Sequence, residues 1–270
     1  MDRYRILGAF VMAATLTAPL YGQTDLDARV LVPVFTVDPL PGANGSSWTT
    51  DLWLSNGNTE TESVFGVSWD CLLPECGFLP APIEPGRTFR PGLLGADGAL
   101  HGALLYVSTA SGADVHGGLR FRDLSRQAST WGTELPLPRE ADFHDGAFSL
   151  VDVPVDPGFR QTLRIYEIEM PQFASVRVRT FRLDPDRSQP TGDSDELLGE
   201  AIVPLQYPDL GGVPLHPGYA EVTDLSTLAP LGDAQRVRLE IAPATPGLRL
   251  WAFVTVIHNE TQHATVITPQ

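Results

Sequence analysis

Side chains that could do chemistry are few and scattered along this chain. All 18 basic residues are arginines, which excludes lysine Schiff bases, a phosphate-loop lysine and a lysine general base. His258 and His263 are five residues apart, so on one strand they would lie on opposite faces. His144 stands between Asp142 and Asp145, where a metal or acid–base site competes with a charged connection. Because no nucleophile, base and orienting group share a known motif, the sequence predicts a non-catalytic protein.

The densest group of oxygen ligands is the acidic stretch 184–196, DPDRSQPTGDSDE. Carboxylates are ligands that Ca²⁺ prefers, and the candidates are Asp184, Asp186, Asp193 and Asp195. The EF-hand pattern is not met, because Gln189 stands where the sharp turn needs glycine. The stretch is therefore either a calcium site or a solvated acidic loop, and no other cofactor is expected.

Residues 1–22 have the order of a Sec-type signal peptide. Arg3 and Arg5 precede an apolar run from Ile6 to Leu20, and the small residue Gly22 follows. The run is too short to cross a bilayer comfortably, and an uncleaved anchor is the alternative. We expect a secreted or periplasmic mature chain that starts near Gln23 and has no transmembrane segment.

The only two cysteines, Cys71 and Cys76, bracket four residues. In an exported protein such a close pair predicts a local disulfide bond. Two free thiols, or a metal or redox site, are the alternatives. The C-x4-C spacing without a neighbouring histidine is unlike a zinc site.

The formal net charge of −15 limits the partners. A chain this acidic repels nucleic acid and anionic lipid headgroups. The expected partner is instead an unknown protein or a glycan at the cell surface.

Four residues are candidates for binding such a partner. Trp53 alternates with Leu52 and Leu54, and Trp251 lies between Leu250 and Ala252. On a strand with one buried face, each tryptophan would point outward and could stack on a sugar or a protein. The alternative is a strand that is covered on both faces. Arg177 and Arg179 would likewise lie on one outward face, either paired with carboxylates such as Glu167 and Glu169 or forming an anion site.

These side chains must be positioned by strands. Residues 48–69 alternate with period two on both sides of Asn56-Gly57-Asn58, which predicts a β-hairpin. A similar pattern starts 111 residues later and spans 159–181. Residues 103–122 and 236–257 predict two further hairpins. The sequence thus predicts an all-β protein made of two tandem antiparallel β-sandwiches, 28–140 and 141–270, joined by a flexible connection between Pro138 and Gly146.

Three segments carry a resemblance to known proteins. They are G-x-N-G-x-x-W-x-T-D-L-x-L-x-N (42–56), F-R-x-T-L (159–163) and W-A-x-x-x-V-x-x-N-x-T (251–261). The chain resembles a group of exported proteins from environmental bacteria that have no known activity. That resemblance implies two tandem immunoglobulin-like β-sandwich domains, and it implies no catalytic residue.

Two functions are compatible with these observations. The favoured one is a non-catalytic exported protein, either a surface, adhesion or carbohydrate- or protein-binding module, or a structural spacer. The alternative is an extracellular hydrolase acting on a polysaccharide or another polymer, since the separation of two catalytic carboxylates is spatial and cannot be read from sequence.

Overall fold

The computed structural model describes residues 27–36, 38–68, 77–90, 101–108, 115–126, 132–169, 171, 173–183, 195–207 and 218–270. These residues form antiparallel β-sheets and three single-turn 3₁₀ helices, at Ala43–Gly45, Glu140–Asp142 and Leu225–Thr227. The all-β prediction is confirmed. In the described part of the chain, no helix is long and apolar enough to cross a membrane.

Strands are numbered in chain order. In the first half they are β1 (Asp27–Val32), β2 (Leu40–Pro41), β3 (Ser47–Asn56), β4 (Glu62–Ser68), β5 (Gly77–Ile83), β6 (Thr88–Phe89), β7 (Ala103–Ser108), β8 (Val115–Asp123) and β9 (Thr133–Leu135). In the second half they are β10 (Phe148–Pro154), β11 (Phe159–Glu167), β12 (Ser175–Arg182), β13 (Glu196–Pro204), β14 (Tyr219–Val222), β15 (Arg236–Pro243), β16 (Leu250–His258) and β17 (Ala264–Ile267).

Each sheet takes its strands from one side of residue 140. The first unit, strands β1–β9, has one sheet of order β1-β7-β4-β5 and another of order β2-β3-β8-β9, with β6 also beside β3. The second unit, strands β10–β17, has sheets of order β10-β15-β12-β13 and β14-β11-β16-β17. The two units therefore repeat one arrangement: β1, β7, β4 and β5 correspond to β10, β15, β12 and β13, and β3, β8 and β9 to β11, β16 and β17.

All four predicted hairpins are wrong, although their strands exist. β3 and β4 lie in different sheets, and so do β7 and β8, β11 and β12, and β15 and β16. β3 instead pairs with β8, from Trp48 opposite Asp123 to Asn56 opposite Val115. The connection after β3 is held by buried Asn56, whose amide donates to the carbonyls of Glu60 and Ile83, both at 2.7 Å. Period-two alternation identifies a strand with one buried face, and it does not identify the strand's neighbour.

The sheet β14-β11-β16-β17 is covered on both faces. Leu250, Ala252 and Val254 of β16 belong to the apolar core of the second unit. Trp251 and Phe253, which point the other way, belong to the core of the first unit together with Leu31 and Leu52 of that unit. The two units thus share an apolar boundary.

Polar contacts fix the same boundary. The Tyr166 hydroxyl donates to the Pro33 carbonyl at 2.5 Å. Arg29, only 5% exposed, donates through Nη1 to the Ile168 carbonyl at 2.6 Å. Its Nε and Nη2 also bind both carboxylate oxygens of Glu140, at 2.9 and 2.6 Å. Arg249 of the second unit donates to the same Glu140 carboxylate at 2.7 Å. We call Arg29, Glu140 and Arg249 the inter-unit clasp.

The connection between Pro138 and Gly146, predicted to be flexible, makes contacts with both units. Besides the clasp, Phe143 is buried, and the backbones of His144 and Leu250 exchange two hydrogen bonds of 2.8 Å. Three other predictions lie outside the described residues: the signal peptide of residues 1–22, the Cys71–Cys76 disulfide, and most of the acidic stretch.

Candidate functional site

Trp53 is a flat, solvent-facing aromatic side chain on the outer face of β3. It is 40% exposed, whereas its neighbours Leu52 and Leu54 are buried, so of the two orientations left open the outward one describes Trp53. Its cross-strand partner on β8 is Gly118. A Cβ atom at residue 118 would overlap the indole ring and lie 2.6 Å from its Nε1. The ring therefore lies directly over the Gly118 backbone, and only glycine leaves room for it.

Charged and polar side chains surround this ring on the same face. Next to the Trp53–Gly118 pair, Asp51 is opposite Arg120 on one side and Ser55 is opposite His116 on the other. Asp51 forms an ion pair with Arg122 at 3.2 Å, and Arg120 forms one with Glu134 of β9 at 2.6 Å. We call the surface formed by Trp53, Asp51, Arg120, Arg122 and Glu134 the Trp53 platform.

The side chains of the Trp53 platform have a chemistry that suits contact with a ring-shaped group. An indole face offers apolar contact to a planar or ring-shaped group at low entropic cost. The adjacent carboxylates and guanidinium groups can accept and donate hydrogen bonds at the edge of that group.

Trp251 does not form a second platform. It is 4% exposed, and its ring lies 5.4 Å from that of Phe253 and 6.5 Å from that of Tyr166. The covered alternative therefore describes Trp251, because its strand is sandwiched between its own unit and the first unit. In this structure it is a core residue and is not accessible to a ligand.

Arg177 and Arg179 lie on the outer face of β12 as predicted, and they are neutralised there. Arg179 binds Glu200 at 2.8 Å and Glu240 at 3.2 Å, and Arg177 approaches Glu200 at 3.5 Å. Hydrogen bonding from Arg179 is the main reason that the pKa of Glu200 lies below its ordinary value. The two arginines are thus paired with carboxylates, as predicted, but not with the carboxylates that the sequence suggested.

The expected partners Glu167 and Glu169 act elsewhere. Glu167 is fully buried; its carboxylate accepts a short hydrogen bond from the Gly218 amide and another, at 2.7 Å, from the Glu169 amide. The Glu169 carboxylate binds Arg249. An anion site at Arg177 and Arg179 would have to displace existing carboxylates.

Of the calcium candidates, only Asp195 is among the described residues. Its carboxylate binds Arg238 at 2.8 Å. Asp184, Asp186 and Asp193 lie outside the described residues, so the calcium site stays a prediction. In the described ranges no group of three or more histidine, cysteine, aspartate or glutamate side chains could hold a metal ion.

Two features of the surface and the boundary were not foreseen from the sequence. One is Gly118, whose role depends on a partner strand more than 60 residues away. The signal that could have revealed it is the Gly117-Gly118 pair in an otherwise regular strand, because glycine inside a strand often marks a close approach by another group. The other is the inter-unit clasp, whose three residues are far apart in the chain.

Searches against protein-family models, curated proteins and solved structures found no match to this chain.

Proposed function

We propose that this protein is a non-catalytic exported binding module that recognises a glycan through the Trp53 platform. The chain would be secreted or periplasmic after removal of residues 1–22, and the Cys71–Cys76 disulfide would close a short loop in its first unit. The single observation that carries the proposal is a solvent-facing tryptophan held flat on a glycine and bordered by charged side chains.

The strand order supports two immunoglobulin-like sandwiches. In such a domain one sheet contains strands B, E and D in that order, and the other contains C, F and G. In the first unit β1-β7-β4 and β3-β8-β9 follow these orders, and in the second unit β10-β15-β12 and β11-β16-β17 do the same. No counterpart of strand A is present among the described residues. Sandwiches of this kind serve many functions, so the fold alone does not name a ligand.

A glycan is favoured over a nucleic acid or an anionic membrane because of charge. The chain has a formal net charge of −15, and the two arginines of the platform are each paired with a carboxylate. Such a surface offers little net positive potential to a phosphate-rich ligand. A sugar ring needs the apolar face and the hydrogen bonds, and it does not need excess positive charge.

The test is a screen of the exported chain against immobilised polysaccharides and oligosaccharides, followed by titration of any hit. Trp53→Ala should reduce affinity at least about tenfold, as expected for loss of one stacking side chain. Leu124→Ala is the matched control, because Leu124 is also 40% exposed but lies outside the platform. Equal binding by wild type and Trp53→Ala would refute the platform, and binding of no glycan at all would favour the spacer role.

A further inference from the structure

The unit boundary contains a second pair of arginines, one from each unit, at the end of β11 that lies away from the clasp. Arg160 is the second residue of β11. By strand alternation it shares a face with Tyr166, whose hydroxyl contacts the first unit. Arg126 follows β8 of the first unit. The clasp lies beyond the other end of β11, where Arg29 binds the Ile168 carbonyl.

Neutral amide groups hold Arg160 in place. Its Nη1 donates to the side-chain oxygen of Asn259 at 2.9 Å, and its Nη2 donates to that of Gln262 at 2.7 Å. A guanidinium has five N–H donors, so these two bonds leave three for another acceptor. Arg160 is partly buried, and it forms no ion pair with a carboxylate in the part of the chain that the structure describes.

Arg126 reaches the same place from the first unit. Its Nη1 binds the Asp123 carboxylate at 2.9 Å, and its Nη2 donates to the Asn44 carbonyl at 2.7 Å. The Asn44 side-chain amide donates across the boundary to the Asn259 carbonyl at 3.3 Å. Burial and, after it, the positive charge of Arg126 lower the pKa of Arg160. Two guanidinium groups are therefore close neighbours here, and Asp123 neutralises one of them.

The clasp shows how the fold stabilises such a pair when it supplies an anion. There the Glu140 carboxylate accepts hydrogen bonds from Arg29 of the first unit and from Arg249 of the second. Hydrogen bonds between guanidinium and carboxylate groups are among the strongest in proteins. A partly buried guanidinium without a counter-ion is correspondingly unfavourable. An anion from solution would remove that cost at Arg160.

We infer that an oxyanion with one negative charge binds from solution to Arg126 and Arg160, as Glu140 binds at the other end of β11. The ligand is the carboxylate group of a small acid or of an acidic sugar. One negative charge is sufficient, because Asp123 already pairs with Arg126. Since the two arginines belong to different units, the bound anion links the units and stabilises the folded chain.

The binding is expected to be weak. The net charge of −15 repels anions at long range, and partial exposure of the site to solvent screens the attraction at short range. We expect a dissociation constant on the order of 1–10 mM.

The experiment is urea unfolding of the chain from Gln23 onward at pH 7, in increasing sodium acetate or sodium glucuronate. Sodium chloride is lowered in step to keep the ionic strength at about 0.15 M, so that general screening stays constant. An anion at ten times its dissociation constant should raise the ratio of folded to unfolded wild type about tenfold. Equal responses to the two salts would support recognition of the carboxylate alone, and a stronger response to glucuronate would support an acidic sugar as the ligand.

Variants locate the site. Arg160→Gln and Arg126→Gln should each remove the response to acetate. Arg164→Gln is the matched control, because Arg164 lies on the same strand and face but already binds Glu221 at 2.7 Å, and it should respond like wild type. If Arg160→Gln is too unstable to compare, Asn44→Asp replaces it. Asn44 is exposed, and the carboxylate added there should take the place of the anion and remove most of the response.

Two results would overturn the inference. One is wild type that responds to neither salt up to about 0.1 M, ten times the weaker limit expected for the dissociation constant. The other is an equal response to acetate in Arg160→Gln, or in Asn44→Asp where that variant replaces it, and in Arg164→Gln.

Discussion

Glu140→Gln is the sharpest test of the inter-unit clasp. Hydrogen bonding from Arg29, opposed by burial and assisted by Arg249, lowers the pKa of Glu140 from 4.5 to about 2. The glutamine keeps the shape of the side chain and removes its charge. Arg29, which is 5% exposed, would then be a buried guanidinium without a counter-ion.

The expected loss of stability in Glu140→Gln follows from the pKa difference. A fall from 4.5 to about 2 corresponds to about 3 kcal/mol, at about 1.4 kcal/mol for each tenfold change in acidity. One third of the Glu140 side chain is exposed, so solvent screening lowers the expected contribution to about 2 kcal/mol. We therefore expect Glu140→Gln to lower the free energy of unfolding by about 2 kcal/mol at pH 7.

The stabilisation by Glu140 should decrease as pH falls. Because the pKa of Glu140 is lower in the folded state than in the unfolded state, its stabilisation is complete above about pH 5 and is lost as pH falls toward 2. The difference between wild type and Glu140→Gln should shrink to less than half of its neutral value at about pH 3. Urea unfolding followed by circular dichroism at both pH values measures it.

Glu134→Gln is the matched control for this experiment. Glu134 also binds an arginine at 2.6 Å, but its side chain is 76% exposed, so its loss should change stability by no more than about 0.5 kcal/mol. A Glu140→Gln effect as small as that of Glu134→Gln would refute the clasp as a stabilising element. So would an effect that does not change between pH 7 and pH 3.

Three shorter predictions concern the two tryptophans, Gly118 and the processing of the chain. Trp251→Ala should cost about 3–5 kcal/mol in urea unfolding, as for other buried aromatics; Trp53→Ala should cost less than about 1 kcal/mol, and a reversed order would contradict the assigned faces. Gly118→Ala should displace the Trp53 ring, so the affinity of this variant for a ligand should fall as in Trp53→Ala. Unchanged affinity would show that the ring position does not matter. Intact-mass spectrometry of the exported protein should give a chain that starts near Gln23 and has no alkylatable thiol before reduction; a full-length mass, or two thiols that react at once, would contradict the predicted processing and disulfide.

The identity of the strands could be predicted from sequence because it depends on local side-chain alternation. Residues 51–55 alternate strictly, and β3 has one buried face and one partly exposed face on which Trp53 is exposed. The neighbours of each strand could not be predicted in this way. β3 pairs with β8, some 60 residues later, and alternation contains no information on that distance.

The burial of Trp251 had a local signal that alternation concealed. Residues 250–254 of β16 read LWAFV, an unbroken apolar run, and all five are buried. Strands covered on both faces show continuous apolar runs, whereas strands with one exposed face alternate. Comparing LWAFV with the alternating DLWLS of β3 would have separated the two tryptophans.

The clasp could not be predicted because charged residues are common and their partners are set by the whole fold. Arg29 and Glu140 are 111 residues apart in the chain, and Glu140 and Arg249 are 109 apart. The segment around Glu140 appeared flexible because it is short, polar and located between two repeated units. Its backbone is instead held by hydrogen bonds to β1 and β16.

The shared boundary leads to a final prediction, that the second unit alone is much less stable than the whole chain. Residues 141–270 lack the first unit, which covers Tyr166, Trp251 and Phe253. Buried aromatic side chains remove about 150–250 Å² each from water. If half of this area becomes exposed on three rings, the loss is roughly 6–9 kcal/mol, which is comparable to the entire net stability of many domains, about 5–15 kcal/mol.

The measurement compares residues 141–270 with the chain from Gln23 onward in urea, together with binding of an apolar dye to detect the uncovered face. The isolated unit should unfold at a lower urea concentration and should bind the dye. Trp251→Ala should destabilise the long chain. The same substitution should lower the stability of the isolated unit by less, because there the ring already contacts water. Equal midpoints for the two proteins, without dye binding, would show that the units are independent domains that merely touch. A large difference would show that the apolar run of β16 serves two cores at once, and that neither unit can be removed without exposing it.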